Sequence, residues 1–183
     1  MRRSSDETKA VILTAARERF GSAGFQAATI RAIAGDAGVD PAMVMRYYGS
    51  KDKLFAAAVE FDLRFPDYAT TDPKQVGRSL VRHFLERWEG DEALVILLRS
   101  SATNGDAAKR MQEVFGTQLR PLVAAWVPAE ESAVRAGLIA TQILGMALCR
   151  FVLRLPPVVA MTRDEIVEWL GPTIQRYLGL PDD

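Results

Sequence analysis

The spacing of apolar residues is the feature that most constrains what this chain can fold into. Apolar side chains recur every three to four residues along most of its length, as in Ile12, Ala16 and Phe20. That interval is the period of an α-helix buried on one face, whereas a half-buried strand alternates every second residue. Strand alternation is absent from the pattern. The sequence therefore predicts an all-α protein with about nine helices and no sheet.

Glycines, prolines and capping residues divide this pattern into segments. Gly38 and Gly49 are expected to end helices, while Thr29, Asp40 and Ser50 are good N-cap residues. The resulting helices are predicted at Glu7–Gly21, Ile30–Ala37, Pro41–Tyr48, Ser50–Arg64, Pro73–Trp88, Glu92–Ala102, Asp106–Trp126 with a kink at Pro121, Ala129–Leu155 up to the Pro156-Pro157 pair, and Arg163–Leu178.

The composition favours a globular protein outside any membrane. Hydrophobic residues make up 49% of the 183 residues and charged residues 25%, so a disordered chain is excluded. The N-terminus lacks an apolar signal core, and Arg150 and Arg154 interrupt the most apolar stretch, Leu138 to Leu155. We expect a cytoplasmic protein with no membrane partner.

The sequence lacks the residue patterns of an enzyme or a metal protein. Cys149 is the only cysteine and His83 the only histidine, which excludes an intramolecular disulfide and makes a metal site improbable. Neither a P-loop nor a dinucleotide glycine fingerprint is present, and no nucleophile is paired with a base. The sequence predicts no catalytic residue, no metal and no cofactor.

Two short helices joined by a tight turn carry the strongest functional signal. Gly38 can adopt the positive φ of a sharp turn between the helices Ile30–Ala37 and Pro41–Tyr48, which predicts a helix-turn-helix. In such a motif the second helix enters the major groove of DNA. Its outward residues, and so the predicted base readers, are Pro41, Ala42, Met43, Met45 and Arg46.

The chemistry of these side chains indicates how they contact DNA. Arg46 can donate to guanine or to a phosphate, whereas Ala42 and Met43 offer only an apolar contact to a thymine methyl group. Thr29, Tyr47 and Lys51 stand at helix ends, where their polar groups can bind phosphates. The charge distribution supports DNA binding weakly, with nine Lys and Arg against six Asp and Glu up to Lys53. The alternative is a purely structural corner between two helices.

The segment from Phe20 to Phe55 closely resembles the N-terminal domain of TetR-type bacterial regulators. The resemblance rests on these motifs: Phe20-x-x-x-Gly24-Phe25, Thr29-Ile30-Arg31-x-Ile33-Ala34, Ala37-Gly38-Val39, Tyr47-Tyr48 and Ser50-Lys51-Asp52-Lys53-Leu54-Phe55. It implies a homodimeric repressor that binds palindromic operator DNA and releases it when a small ligand enters the C-terminal domain. By position, the implied DNA contacts are Thr29, Arg31, Met43, Tyr47 and Lys51.

This sequence departs from the family pattern at two reader positions. Met45 stands where the family often has an aromatic residue, and Met43 where it often has threonine. These departures leave the operator sequence open. An activator or a ligand-independent regulator with the same head is an alternative, and a scaffold or enzyme that keeps the motif only for packing is a remote one.

The rest of the chain is expected to bind a ligand and to form the dimer. We predict a DNA-binding domain at 1–49 and a larger helical domain at 50–183, linked through the helix Ser50–Arg64. Because the family has a pocket in this region, we expect a small, largely apolar ligand there, with an ordinary packed core as the alternative. The candidate pocket residues are His83, Phe84, Trp88, Leu98, Arg99, Asn104, Met111, Phe115 and Gln118.

Small side chains along the predicted helix Ala129–Leu155 indicate a helix-packing face. They repeat every four residues and form a ridge that allows another helix to approach closely. We predict a dimeric four-helix bundle with two helices from each subunit. The alternative is packing within the chain. The predicted interface residues are Ala133, Gly137, Thr141, Gly145, Cys149, Ile166, Leu170 and Ile174.

Overall fold

The computed structural model describes residues 4–181 and confirms the all-α class, with no strand in that range. Short 3₁₀ turns lie at Tyr68–Thr70 and Pro73–Gln75, and π-helical turns at Phe115–Leu119 and Leu148–Val152. The α-helices are α1 Ser5–Ala27, α2 Ile30–Ala37, α3 Pro41–Tyr48, α4 Lys51–Ala58, α5 Val76–Gly90, α6 Glu92–Ser101, α7 Gly105–Val114, α8 Arg120–Ala124, α9 Ala129–Ala147, α10 Pro156–Ala160 and α11 Arg163–Tyr177.

The chain forms two compact units, and the first is discontinuous in sequence. It comprises the chain up to Phe61 together with Glu92–Ala108. Helix α1 packs against α2, α4 and α6 within this unit. The predicted apolar face of α1 is confirmed, because Ile12, Ala16 and Phe20 are fully buried. Helix α6 therefore completes the core of the first unit, although the chain just before Glu92 and after Ala108 belongs to the second.

Helix α1 is longer than the predicted segment Glu7–Gly21. It begins earlier because Ser4 and Glu7 form a capping box, in which each side chain accepts a hydrogen bond from the other residue's backbone N–H. Near its other end the helix bends at Gly24, whose φ of 77° is left-handed, and it then continues to Ala27. The predicted stop at Gly21 is wrong, while Gly24 does interrupt the helix.

The predicted helix Ser50–Arg64 is also wrong in its second half, since α4 ends at Ala58. Phe61 and Leu63 are both buried, and a helix would point side chains two residues apart in directions about 200° apart. Arg64 adopts a left-handed φ of 51°, and Phe65 precedes a proline, which disfavours helix. A non-helical segment therefore follows α4.

The second unit is built on a close pair of helices, α5 and α11. Gly77 and Gly171 lie at their contact, where an added Cβ on Gly77 would stand 2.5 Å from the carbonyl oxygen of Gly171. Gln175 is buried beside them, and its Oε1 accepts from the Gly77 N–H at 2.7 Å. Its amide nitrogen donates to the carbonyls of Pro73 and Pro181. Close backbone approach and a satisfied buried amide together hold the pair.

Prolines mark two of the places where the second unit departs from the predicted helices. The kink predicted at Pro121 is a π-helical turn, Phe115–Leu119, just before it. A wider turn accommodates a proline ring that would otherwise meet the carbonyl four residues earlier. Pro156 and Pro157 end no helix but begin α10, where a missing N–H costs little.

Candidate nucleic-acid interface

Helices α2 and α3 form the predicted helix-turn-helix. The turn depends on Gly38, which takes a left-handed φ of 63° after the last residue of α2. Asp40 then caps α3, because its carboxylate accepts from the Ala42 N–H at 2.7 Å, and Pro41 occupies the first helical position. Ile33, Ala34 and Val44 are fully buried between the helices. Local caps and a shared core thus set the angle between α2 and α3.

One face of α3 is open to solvent. Val44 points into the core, so residues about half a turn away point outward. Pro41, Ala42, Met45 and Arg46 are exposed, and Met43 and Tyr47 are half-buried. A groove with a volume of about 580 Å³ flanks this face. It is lined by Met43, Arg46, Tyr47 and the turn residues, with Ser5 and Thr8 from α1. All five predicted base readers lie on or beside this open face.

The cations of the first unit divide into paired and unpaired groups. Arg19 forms a bidentate ion pair with Asp36 at 2.6–2.7 Å, and its hydrogen bonds lower the pKa of that carboxyl group. Arg17 donates to the carbonyl of Ala58 at 2.9 Å. Arg31 and Arg46, by contrast, have neither a hydrogen bond nor an ion pair within residues 4–181. Their guanidinium groups remain available to an external anion or base.

The predicted phosphate contacts are held in place by local bonds. The Thr29 hydroxyl oxygen accepts from the Ala32 N–H at 3.1 Å, which leaves the hydroxyl hydrogen free to donate. The Lys51 ammonium donates to the Gln26 carbonyl at 3.2 Å and lies 4.5 Å from the centre of the Phe25 ring. Two of its three hydrogens remain for another acceptor.

Lys9 is a residue of this surface that the sequence analysis missed. Its ammonium lies 5.8 Å from the centre of the Tyr47 ring, and its carbonyl accepts from the Tyr48 hydroxyl at 3.0 Å. Burial raises the pKa of Tyr48, so the phenol stays protonated and keeps this bond. Lys9 therefore positions both tyrosines at the end of α3, a contact across 39 residues that no local pattern signals.

The candidate ligand-pocket residues are divided between the two units. Leu98, Arg99 and Asn104 belong to the first unit, where Arg99 donates to the Gly21 carbonyl and Asn104 accepts from the Ala107 N–H. The other six belong to the second unit. Arg99 and Asn104, two polar candidates for ligand binding, thus already have backbone partners.

Within the second unit the aromatic candidates pack against each other. Phe84 stacks on Phe115 with ring centres 6.4 Å apart, and Trp88 stacks on Phe151 at 6.2 Å. Met111 is buried as well. These contacts match the alternative of a packed core. Trp88 still differs from its neighbours, because its buried indole N–H has no hydrogen-bond partner among the described residues.

The two remaining polar candidates hold the segment that follows α4. His83 Nε2 donates to the Leu63 carbonyl at 2.7 Å, and Gln118 Oε1 accepts from the Leu63 N–H at 2.6 Å. Arg87 donates to the Asp62 carbonyl beside them. His83 and Gln118 therefore position the backbone after the first unit.

The predicted dimer face is mostly exposed on the single chain. Ala133, Gly137, Thr141 and Gly145 are exposed along α9, and Cys149 and Leu170 are half-buried. Ile166 is buried but lines a groove of about 280 Å³ between α9 and α11. Ile174 is fully buried inside the chain, so this residue has no surface to offer a partner.

Two family models match this chain. The model described as "Bacterial regulatory proteins, tetR family" matches residues 12–58, and the model described as "Tetracyclin repressor-like, C-terminal domain" matches residues 74–178. No curated protein matches significantly.

Solved structures of similar fold cover nearly the whole chain. A TetR-family regulator from Streptomyces coelicolor A3 is 29% identical, with 97% of this chain and 98% of that chain covered and a TM-score of 0.68. A TetR-like transcriptional regulator from Rhodococcus sp. RHA1 is 20% identical, with coverages of 97% and 99% and a TM-score of 0.69. NalD, the secondary repressor of the MexAB-OprM multidrug efflux pump in Pseudomonas aeruginosa, is 22% identical, with 98% of each chain covered and a TM-score of 0.70.

Proposed function

Because this chain belongs to the TetR family of bacterial transcription regulators, we propose that it is a homodimeric repressor that a small, largely apolar ligand releases from a palindromic operator. It acts in the cytoplasm, where its operator lies. The observation that carries the proposal is the open face of α3 with the unpaired Arg46. A helix that only packed inside the protein would bury this face and pair its guanidinium group.

Removing the Arg46 side chain is expected to weaken operator binding by about 1–3 kcal/mol if it contacts a base. The change Arg46→Ala removes an exposed side chain with no partner in the described chain, so the fold should be unaffected. Fluorescence anisotropy with duplexes selected by the purified protein measures the loss. Arg120→Ala, an exposed arginine of the second unit, is the control and should bind like the wild type. Equal affinities for all three proteins would remove Arg46 from the interface.

Two glycines of α9 support the homodimer. Gly137 and Gly145 lie inside a helix, where each costs about 1 kcal/mol relative to alanine. A Cβ added at either position meets no atom of another described segment within 4 Å, so packing within that part of the chain does not require glycine there. Close approach of a helix from a second copy of the chain would account for both glycines.

The apolar character of the same face points to a partner. The helical segment Ala129–Val152 is long and apolar enough to span a membrane by length and composition, and only 28% of its most apolar window is buried. Val134, Leu138 and Trp169 are exposed on α9 and α11, Trp169 by 78%. Soluble proteins rarely leave such a patch uncovered. A second copy of the chain would cover it.

Helix α11 has the charge pattern of a twofold contact. Glu165 and Arg176 are exposed eleven positions apart, which is about three helical turns, so both lie on the stripe that carries Trp169. Glu165 Oε2 accepts two hydrogen bonds from Thr162 at the start of the helix. In an antiparallel pair of α11 helices, the other oxygen of each glutamate faces the partner's arginine. The groove beside Trp169, floored by Thr141 and Gly145, can then receive the partner's indole ring.

Removing the exposed indole ring is therefore expected to weaken the dimer. Trp169→Ala should raise the dimer dissociation constant by about thirtyfold or more, as for a central tryptophan of an interface. Sedimentation equilibrium measures this constant. The control Trp169→Phe keeps an aromatic ring and should show a smaller change. A dimer as strong in Trp169→Ala as in the wild type would exclude this face.

The dimer gives the mechanism its geometry. A twofold axis presents two α3 helices to half-sites about 34 Å apart, or a multiple of that distance. A ligand that binds one conformation of the second unit better than another shifts the population and thereby the spacing. The shift reaches α4 through the following segment, whose Leu63 backbone is bonded to His83 and Gln118.

The second unit offers a place for a small ligand. A cavity of about 360 Å³ lies between the segment Pro66–Ala69 and the end of α8, where Leu122 and Trp126 line it. Its volume falls within the range of about 300–1,000 Å³ of small-molecule sites, and its lining is mostly apolar. The unpartnered N–H of Trp88 is a second candidate contact, to an acceptor oxygen.

Selection of DNA by the full-length protein, repeated with a panel of apolar small molecules, tests the whole proposal. We expect enrichment of a twofold-symmetric duplex, and its release by at least one compound. Enrichment of a sequence without symmetry would contradict the dimeric mechanism. A reporter gene that loses expression when the regulator is deleted would identify an activator instead.

A further inference from the structure

We propose that Met45 reads the C5-methyl group of a thymine beside a guanine bound by Arg46, so that each half-site contains a guanine next to a thymine. The inference rests on the proposed function, because it assumes that α3 enters the major groove. It adds the chemical class of the bases that this head prefers.

The geometry of α3 selects the side chains that reach the bases. Val44 is fully buried, so positions two residues before and after it, Ala42 and Arg46, point most directly away from the protein. Met45 stands a quarter-turn to one side and is 43% exposed. Because Ala42 is small, the helix can approach the base edges closely, and Met45 then reaches the neighbouring base pair.

The hydrogen-bonding groups of α3 restrict what this face can recognise. Asp40 uses its carboxylate to cap the helix, and Tyr48 uses its hydroxyl to bond the Lys9 carbonyl. The outward positions carry no carboxylate, amide or hydroxyl group. Adenine needs both a donor and an acceptor, and cytosine needs an acceptor. The donor Arg46 is left to recognise guanine, and the apolar side chains are left to recognise the thymine methyl group.

The exposure of Met45 is unusual within the first unit. Among the exposed large apolar side chains of the described residues, Met45 is the one that lies in this unit, and the others lie in the second. An isolated apolar side chain on a DNA-reading helix gains free energy when a methyl group covers it. The thymine methyl is the apolar group that the major groove presents.

Replacing thymidine by deoxyuridine tests this inference directly, because it removes the methyl group and leaves every hydrogen bond of the base pair. The probe is the duplex enriched from a random library by the full-length protein, resynthesised with deoxyuridine at each thymine in turn. We expect at least one position in each half-site to weaken wild-type binding by about three- to fourfold, the effect of one buried methyl group. Replacing the adjacent guanine by 7-deazaguanine should weaken binding further, since it removes an acceptor for Arg46.

The variant Met45→Ala identifies which side chain contacts the methyl group. Deoxyuridine at that position should leave the affinity of Met45→Ala unchanged, whereas Met45→Leu, which keeps an apolar side chain, should retain the loss. Leu153→Ala, an exposed apolar residue of the second unit, controls for surface hydrophobicity and should behave like the wild type.

Two outcomes overturn the inference while leaving the proposed function intact. Wild-type binding that is insensitive to deoxyuridine throughout the selected site excludes methyl recognition, and an equal loss in wild type and Met45→Ala excludes Met45 as the reader. If no duplex is enriched, sequence-specific DNA binding itself fails, and the inference fails with it.

Discussion

Replacing Phe20 by alanine is expected to lower the free energy of unfolding by about 3–5 kcal/mol. Phe20 is fully buried, and its ring lies 5.1 Å from that of Phe55 and 5.9 Å from that of Phe25. Truncation removes these ring contacts and leaves a cavity beside Phe25 and Phe55. Urea denaturation followed by circular dichroism measures the change.

Phe25→Ala is the matched comparison for this prediction. Phe25 belongs to the same aromatic cluster, with its ring 4.9 Å from that of Phe55, but it is only half-buried. Truncating Phe25 should therefore lower the free energy of unfolding clearly less than truncating Phe20 does. Equal costs at the two positions would show that burial in this cluster does not determine the stability of the first unit.

Replacing Gly77 by alanine is expected to lower the free energy of unfolding by about 3 kcal/mol, at the upper end of overpacking effects. The new Cβ would lie 2.5 Å from the Gly171 carbonyl oxygen and 2.7 Å from the Gln175 backbone nitrogen. Both are backbone atoms of α11, so the helices must separate. Separation also lengthens the bond between the Gly77 N–H and Gln175 Oε1. Chemical denaturation of the full chain measures the loss.

Gly90→Ala provides the control on the same helix. Gly90 lies at the end of α5, and a Cβ added there meets nothing within 4 Å. This variant should stay within about 0.5 kcal/mol of the wild type, as most exposed substitutions do. A Gly77→Ala protein as stable as Gly90→Ala would mean that α5 and α11 are not closely packed in solution.

The DNA-reading head could be predicted because its determinants are local. Gly38 at a positive φ, Thr29 and Asp40 as N-caps and Pro41 at a first helical position are each specified by a few neighbouring residues. The period of Ile12, Ala16 and Phe20 likewise identified a buried face. Such signals act over one or two helical turns, which is the range over which a sequence pattern is informative.

The parts that sequence reasoning missed depend on contacts between distant segments. His83 and Gln118 were candidate pocket residues because the resembled family has a ligand pocket in this region. Their partner, Leu63, lies 20 and 55 residues away in the chain. The end of α4 at Ala58 similarly precedes Leu63, which is buried and whose backbone is bonded to His83 and Gln118 within the second unit.

Glycines illustrate the same limit. In the sequence, Gly77 and Gly137 are both single glycines within apolar helical segments. In the structure, a Cβ at Gly77 would meet the backbone of α11, whereas a Cβ at Gly137 would meet open space. The first glycine is required by the packing of α5 against α11, whereas no contact among the described residues requires the second. Spacing alone does not separate these two cases.

The place of α6 in the first unit limits how modular the DNA-binding head is. Helix α6 packs on α1, and Arg99 of α6 donates to the Gly21 carbonyl. In the sequence, however, thirty residues of the second unit separate α6 from Phe61. A fragment that stops at Phe61 would expose the side of α1 near Gly21 that Ile96 covers. Chimeras that transplant this head onto another sensor therefore need α6 as well, grafted back through a designed loop.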